Sequence, residues 1–270
     1  MFPVRGLIVG LMLLATLVPP AHGQSSLTST LWVQGGPFRL KTAVFRGADS
    51  NSLPTLVVVL HGDSPFGKPD YQDRFAARVA AAHPSVIAAA ILRPGYTDPQ
   101  GHTSEGARGQ MTGDNYNAGN TDAIAAAIDG LKQRFHARRV VVVGHSGGAA
   151  IAANILGRHP SLAQAALLVS CPCDVQRWRE HMFRKTGFAG FRGEIETLSP
   201  LKQLAGVFPG VTIRMVVGEK DDVTPPALSE TYRAAAGKIG KPVTLTELAG
   251  ETHDILLLPA ILTELARLLH

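Results

Sequence analysis

Two periods of hydrophobic patterning alternate along this chain. Residues 56–60, Leu-Val-Val-Val-Leu, are apolar without interruption and run into His61-Gly62. A run so short and β-branched predicts a strand buried on both faces of a mostly parallel sheet. Similar runs recur at 86–92, 140–143, 166–169 and 211–217, and 243–248 alternates apolar with polar towards the end. Residues 37–46 alternate as well, as a half-exposed antiparallel strand does. Between these runs, apolar residues at helical spacing predict helices over 71–82, 121–135, 148–159, 226–236 and 255–269. Strands alternating with helices define the class: α/β, a mostly parallel twisted sheet with helices on both faces. Such sheets bind ligands at the C-terminal ends of their strands, so chemistry is sought there.

The first residues follow a different rule. One positive charge within residues 1–5 precedes an apolar stretch over 6–18, then Pro19-Pro20 and Ala21-His22-Gly23. At roughly 13 residues the apolar part is shorter than the roughly 20 that span a bilayer, and small residues stand at positions 21 and 23. This predicts a signal peptide, 1–23, cleaved after Gly23, and a secreted or periplasmic protein; an uncleaved anchor is the alternative. Nothing later in the chain is apolar enough to enter a membrane stably.

No linker or repeat divides residues 24–270, which read as a single domain. The charge is mildly basic at +5, and no Lys/Arg cluster exceeds the pair Arg138-Arg139. Nucleic acid is therefore not an expected partner. The two cysteines, Cys171 and Cys173, flank Pro172. They are too few for a disulfide framework or a four-ligand zinc site, and their spacing is not that of thiol oxidoreductases. A bond between them and two free thiols both remain open.

Chemistry concentrates on Gly144-His145-Ser146-Gly147-Gly148, between the strand 140–143 and the helix 148–159. A serine on such a tight turn needs glycines two residues either side, and the helix that follows turns its positive end towards the hydroxyl. In a chain with 28 glycines the pentapeptide alone carries little weight. Its place between a buried strand and a helix carries more, and no Gly-x-Gly-x-x-Gly accompanies it to suggest a nucleotide.

The segment resembles the nucleophile elbow of the α/β-hydrolase superfamily, in the branch of dienelactone-hydrolase-like esterases and prolyl-oligopeptidase-like enzymes. That resemblance implies an acid and a histidine downstream, in that order. Val216-Val217-Gly218-Glu219-Lys220-Asp221-Asp222-Val223-Thr224-Pro225 is similar to the family's acid loop. Spacing from Gly218 selects Asp221, with Asp222 as the alternative. Gly250-Glu251-Thr252-His253-Asp254 follows the last strand where the family places its general base, and His253 is the candidate. His145, within the elbow, is taken to point elsewhere. His61-Gly62-Asp63 resembles the oxyanion loop, so the backbone N–H groups of Asp63, with Ser64 as the alternative, and of Gly147 are the candidate donors to the developing oxyanion.

Other residues are candidates for shaping the pocket. Tyr96 follows the strand 86–92, and Tyr116 belongs to the long polar loop 97–120; both are candidate substrate contacts. The stretch 173–208 leaves the sheet after the strand 166–169, where the family inserts caps, and Trp178 within it is a third candidate contact. The resemblance implies acyl transfer through a Ser-His-Asp triad and an acyl-enzyme, with no metal or organic cofactor. The expected substrate is a small-molecule carboxylic ester, with peptide or amide cleavage as the alternative. A non-catalytic binding module on the same fold would be expected to have lost part of the triad.

Overall fold

The computed structural model describes residues 27–269 apart from 65, 110–112, 114 and 194. The expected leader, 1–23, lies outside the described residues. Eight strands, β1 (Ser29–Gly35), β2 (Phe38–Arg46), β3 (Thr55–Leu60), β4 (Val86–Ile91), β5 (Arg139–His145), β6 (Ala165–Val169), β7 (Thr212–Gly218) and β8 (Val243–Leu248), form one sheet. Their order is β1-β2-β4-β3-β5-β6-β7-β8. The β1–β2 and β2–β4 pairs are antiparallel, and every other pair is parallel.

The unbroken apolar runs follow from the layers. Within β3, Leu56, Val58 and Leu60 enter one apolar cluster and Val57 and Val59 the other. The first cluster packs against α2 (Ala118–Arg134), α3 (Gly147–Arg158) and α6 (Pro226–Lys238). The second packs against α1 (Tyr71–Ala82) and α7 (Pro259–Ala266). A strand covered on both faces has no polar side to show in its sequence, and each fully buried Val or Leu contributes about 1.5–3 kcal/mol.

After β6 the chain makes the expected excursion. It contains α4 (Val175–Thr186), a 3₁₀ turn at Ala189–Phe191, and the single turn α5 (Pro200–Gln203). Asp174 caps α4 by accepting the N–H of Arg177, and Gly187, at φ 69°, ends it. Cys171 and Cys173 are disulfide-bonded and buried at the root of this excursion.

Two elements differ from expectation. The edge strand β1 was not anticipated: its outward residues are exposed and its inward Leu31 and Val33 only half-buried, so its apolar signal is weak. The last helix begins at Pro259 rather than 255, because residues 255–258 are held in turns by hydrogen bonds from Ile255 N–H to the His253 carbonyl and from Leu258 N–H to the Ile255 carbonyl. Among the described residues, no helix is long and apolar enough to cross a membrane.

Candidate active site

Four loops at the C-terminal ends of parallel strands meet at one edge of the sheet. They carry Asp63 after β3, Ser146 after β5, Asp221 after β7 and His253 after β8.

Ser146 joins β5 directly to α3, with φ 53° and ψ −122°. Left-handed backbone at a residue other than glycine costs about 1–3 kcal/mol and persists only where the surroundings enforce it. Here its N–H donates to the Val169 carbonyl at 2.8 Å, and its own carbonyl accepts from Ala149 and Ala150. The flanking glycines let the segments close. A Cβ on Gly148 would strike the carbonyl oxygens of Leu60 and His61, and one on Gly144 would strike the Gly148 carbonyl. The Ser146 side chain makes no capping bond to the helix.

His253 Nδ1 lies 2.9 Å and 3.1 Å from the two carboxylate oxygens of Asp221. That carboxylate is held from its far side: Thr224 donates its N–H to Oδ1 at 2.7 Å and its hydroxyl to Oδ2 at 2.7 Å, and Val223 N–H donates to Oδ1. Burial alone would push the Asp221 carboxyl up. The hydrogen bond and charge of His253, with the Thr224 donors, outweigh it and hold the group below the usual carboxylate range. Asp222 faces away, pairing at 2.6 Å with Lys185 in solvent.

Asp63 and Gly147 face each other across the elbow, since a Cβ on Gly147 would meet the Asp63 carboxylate and the Tyr116 hydroxyl. Among the described residues, nothing accepts the N–H of Asp63 or of Gly147, the latter being one of the unpaired donors that open every helix. The Asp63 side chain has a separate role. Its Oδ1 pairs at 3.0 Å with Arg93, which is fully buried, and its Oδ2 accepts from the Tyr116 hydroxyl at 2.5 Å and the Gly113 N–H at 3.1 Å. Arg93 also donates to the His61 carbonyl and to Asn115 Oδ1, between the rings of Tyr96 and Tyr116. The ion pair fixes the loop and cancels the carboxylate's charge beside the two free N–H groups.

The three candidate substrate contacts are interior residues. Tyr96 and Trp178 are each 2% exposed and Tyr116 is 0% exposed. Tyr96 stacks edge-on against His61, Tyr116 bonds Asp63, and Trp178 donates from Nε1 to the Val223 carbonyl in the acid loop. Their polar atoms are committed to the scaffold, so each supports a loop rather than lining open space. Sequence reasoning assigned no role to Arg93, Thr224, Tyr71 or the imidazole of His145. Thr224 and His145 at least sit inside the motifs, whereas Arg93 and Tyr71 carry no local signal.

His145 is 4% exposed, and its ring lies 5.1 Å from that of His253, centroid to centroid. Ligand atoms of His145, His253 and Asp254 fall within 4.8 Å of one another. Both His145 nitrogens are engaged, however, Nδ1 with the Tyr71 hydroxyl at 2.9 Å and Nε2 with the His253 carbonyl at 3.0 Å, so the trio offers an ion no ready third ligand. Burial, then the charge of His253, pushes the His145 imidazole down to about 4 from 6.5.

That depression makes a stability prediction. Between pH 6.5 and about 4 the unfolded chain binds a proton at this position that the folded chain refuses, so stability is lost as the pH falls through that window. Denaturant titrations at pH 7 and pH 4 should show a loss about 3 kcal/mol smaller in His145→Gln than in the wild type. Equal losses would mean that His145 is not held neutral.

The chain is similar to several known proteins. The family described as serine aminopeptidase, S33, matches residues 55–190. No curated protein matches. Among solved structures, a Mycobacterium tuberculosis puromycin-hydrolyzing peptidase superposes with a TM-score of 0.72 at 20% identity, over 95% of this chain and 40% of that one. Est1E from Butyrivibrio proteoclasticus superposes with a TM-score of 0.64 at 12% identity, over 89% of this chain and 98% of that one. A Pyrococcus horikoshii acylaminoacyl peptidase gives 0.65 at 13%, over 88% and 39%. The chain thus spans about two fifths of either peptidase and nearly the whole of Est1E. At these identities the likeness concerns the fold.

Proposed function

We propose that this chain, which belongs to the serine aminopeptidase (S33) family and is a serine hydrolase of the α/β type, cleaves carboxylic esters outside the cytoplasm through Ser146, His253 and Asp221. The observation that carries the proposal is the His253–Asp221 pair held against His145, the elbow residue next to Ser146, beside N–H groups of Asp63 and Gly147 that no described residue accepts. His253 takes the serine proton as Oγ attacks the carbonyl carbon, and Asp221 holds Nδ1–H so that Nε2 is free to accept it. The N–H groups of Asp63 and Gly147 bind the oxyanion, where each donor lowers the barrier by about 3 kcal/mol. Collapse of the tetrahedral intermediate expels the alcohol, which takes the proton back from His253. Water then repeats the sequence on the acyl-enzyme and releases the acid.

Ester cleavage is supported by coverage. Est1E, matched over nearly its whole length, has been solved with ferulic acid bound, and a carboxylic acid is what ester cleavage leaves. Peptide or amide cleavage is the second reading, favoured by the family's description and by the puromycin-hydrolyzing peptidase. Export is supported by the apolar leader pattern at 6–18 and by the Cys171–Cys173 disulfide, a bond that persists in oxidising compartments.

Purified protein offered short and long p-nitrophenyl esters beside aminoacyl-naphthylamides tests the substrate class. Higher kcat/KM on the esters is expected. Preference for the naphthylamides would make the chain a peptidase, and failure to react with either or with a fluorophosphonate probe would sink the hydrolytic mechanism.

A further inference from the structure

We propose that Tyr71 and His145 form a strut that sets the position of His253 relative to the oxyanion loop, each acting as a positioning residue for the reaction proposed above. The inference rests on that reading of Ser146 and His253.

The strut is an unbroken chain of hydrogen bonds whose polarity can be derived. The His253 carbonyl can only accept, so His145 Nε2, 3.0 Å away, carries a proton. A neutral imidazole then has a bare Nδ1, and the Tyr71 hydroxyl, 2.9 Å away, donates to it. With its hydrogen committed, the Tyr71 oxygen accepts the Gly62 N–H at 2.5 Å. Gly62 immediately precedes Asp63, the proposed oxyanion donor. Ser170, at the end of β6, adds a second donor to the same His253 carbonyl at 3.0 Å. One line of contacts therefore runs from the oxyanion loop through the first residue of α1 and the elbow to the backbone of the proposed base.

The chain holds only while His145 is neutral. A protonated ring would turn Nδ1–H towards a hydroxyl already receiving Gly62 N–H, leaving the tyrosine hydrogen without an acceptor. Burial keeps the ring neutral, with a pKa of about 4. When His253 takes the serine proton, its neighbour 5.1 Å away therefore remains uncharged, and the positive charge stays opposite Asp221. Tyr71 stands edge-on to the His145 ring at 5.4 Å and 88°, so packing and hydrogen bonding agree on its orientation.

Merely structural residues and positioning residues differ in which kinetic constant they move. Tyr71→Phe keeps the ring and removes the hydroxyl, whereas His145→Ala removes the strut's centre. His145→Gln restores an N–H towards the His253 carbonyl. Misplacing reacting groups by about 1 Å costs on the order of a hundredfold in rate, so kcat should fall about 10- to 100-fold in Tyr71→Phe and His145→Ala, with KM within about twofold of wild type. His145→Gln should recover at least about tenfold of the alanine loss, and Tyr71→Phe/His145→Ala should be no slower than its slower parent, as expected of residues acting as a unit. Rates are referred to folded protein measured by near-ultraviolet circular dichroism. Should His145→Ala fail to fold, Tyr71→Phe and His145→Gln carry the test. A Tyr71→Phe enzyme within twofold of wild type in kcat, a loss confined to KM, or additive effects in the double variant would overturn the strut. A wild-type protein that turns over no ester or amide would instead overturn the proposed reaction.

Discussion

Replacing Ser146 by alanine should lower kcat on the preferred substrate by about six orders of magnitude, the scale seen when a nucleophilic serine is removed from an intact site. Nothing else at the position should change much. The hydroxyl makes no capping bond, so its loss orphans no partner in α3, and alanine at φ 53° is about as strained as serine. The variant should unfold within about 0.5 kcal/mol of wild type, as substitutions do when they remove no contact. It should also still bind substrate, because the N–H groups of Asp63 and Gly147 survive; those donors and substrate binding alone leave about 10³- to 10⁴-fold catalysis over water. A stopped-flow assay on protein purified free of host hydrolases measures this. Turnover within about a hundredfold of wild type, or continued fluorophosphonate labelling, would remove Ser146 from the mechanism.

The second large effect distinguishes two adjacent carboxylates. Asp221→Asn should lower kcat by about 10⁴-fold, because an amide can turn its NH₂ towards His253 Nδ1 and leave the proton on Nε2, where it blocks proton transfer from the serine. The N–H groups of Thr224 and Val223 both donate to Oδ1, which favours placing the amide oxygen there and its NH₂ at the Oδ2 position facing the histidine, where the Thr224 hydroxyl can turn to accept. Asp222→Asn removes only an ion pair with Lys185 on a side chain 73% exposed, and solvent screens such pairs so that they contribute little. Its kcat should stay within about twofold of wild type. An equal loss in the two variants, or a larger one in Asp222→Asn, would move the acid by one residue.

The sheet's core was legible because burial on both faces leaves nothing polar in 56–60 or 140–143, and because β-branched valines set these runs apart from the alanine-rich apolar runs of α2 and α3. The proposed nucleophile and its proposed acid stood out in the sequence because each follows such a strand within a local motif. What escaped the sequence depended on distant partners or weak burial. Nothing near Tyr71 announces that its hydroxyl meets a histidine 74 residues later, and nothing near Arg93 announces a carboxylate at Asp63. The edge strand β1 escaped because its inward residues are only half-buried, and the N-terminal limit of α7 because apolar residues 255–258 continue a helical pattern through turns. Tyr96 and Tyr116 read as candidate substrate contacts from their place in loops, and Trp178 from its place in the excursion after β6. Their burial follows from aromatic area being more useful against Arg93, His61 and the acid loop than in solvent.

The Asp63–Arg93 pair constrains how this protein can diverge. Removing one member strands a charge in the interior at a cost of about 3–5 kcal/mol, against a total stability of about 5–15 kcal/mol for most domains. Neither residue can drift alone without bringing the lineage close to unfolding, whereas replacing both with apolar residues of matching volume is often neutral. Descendants should therefore retain both or lose both, a correlated inheritance between positions 30 residues apart that a set of orthologous sequences would display directly.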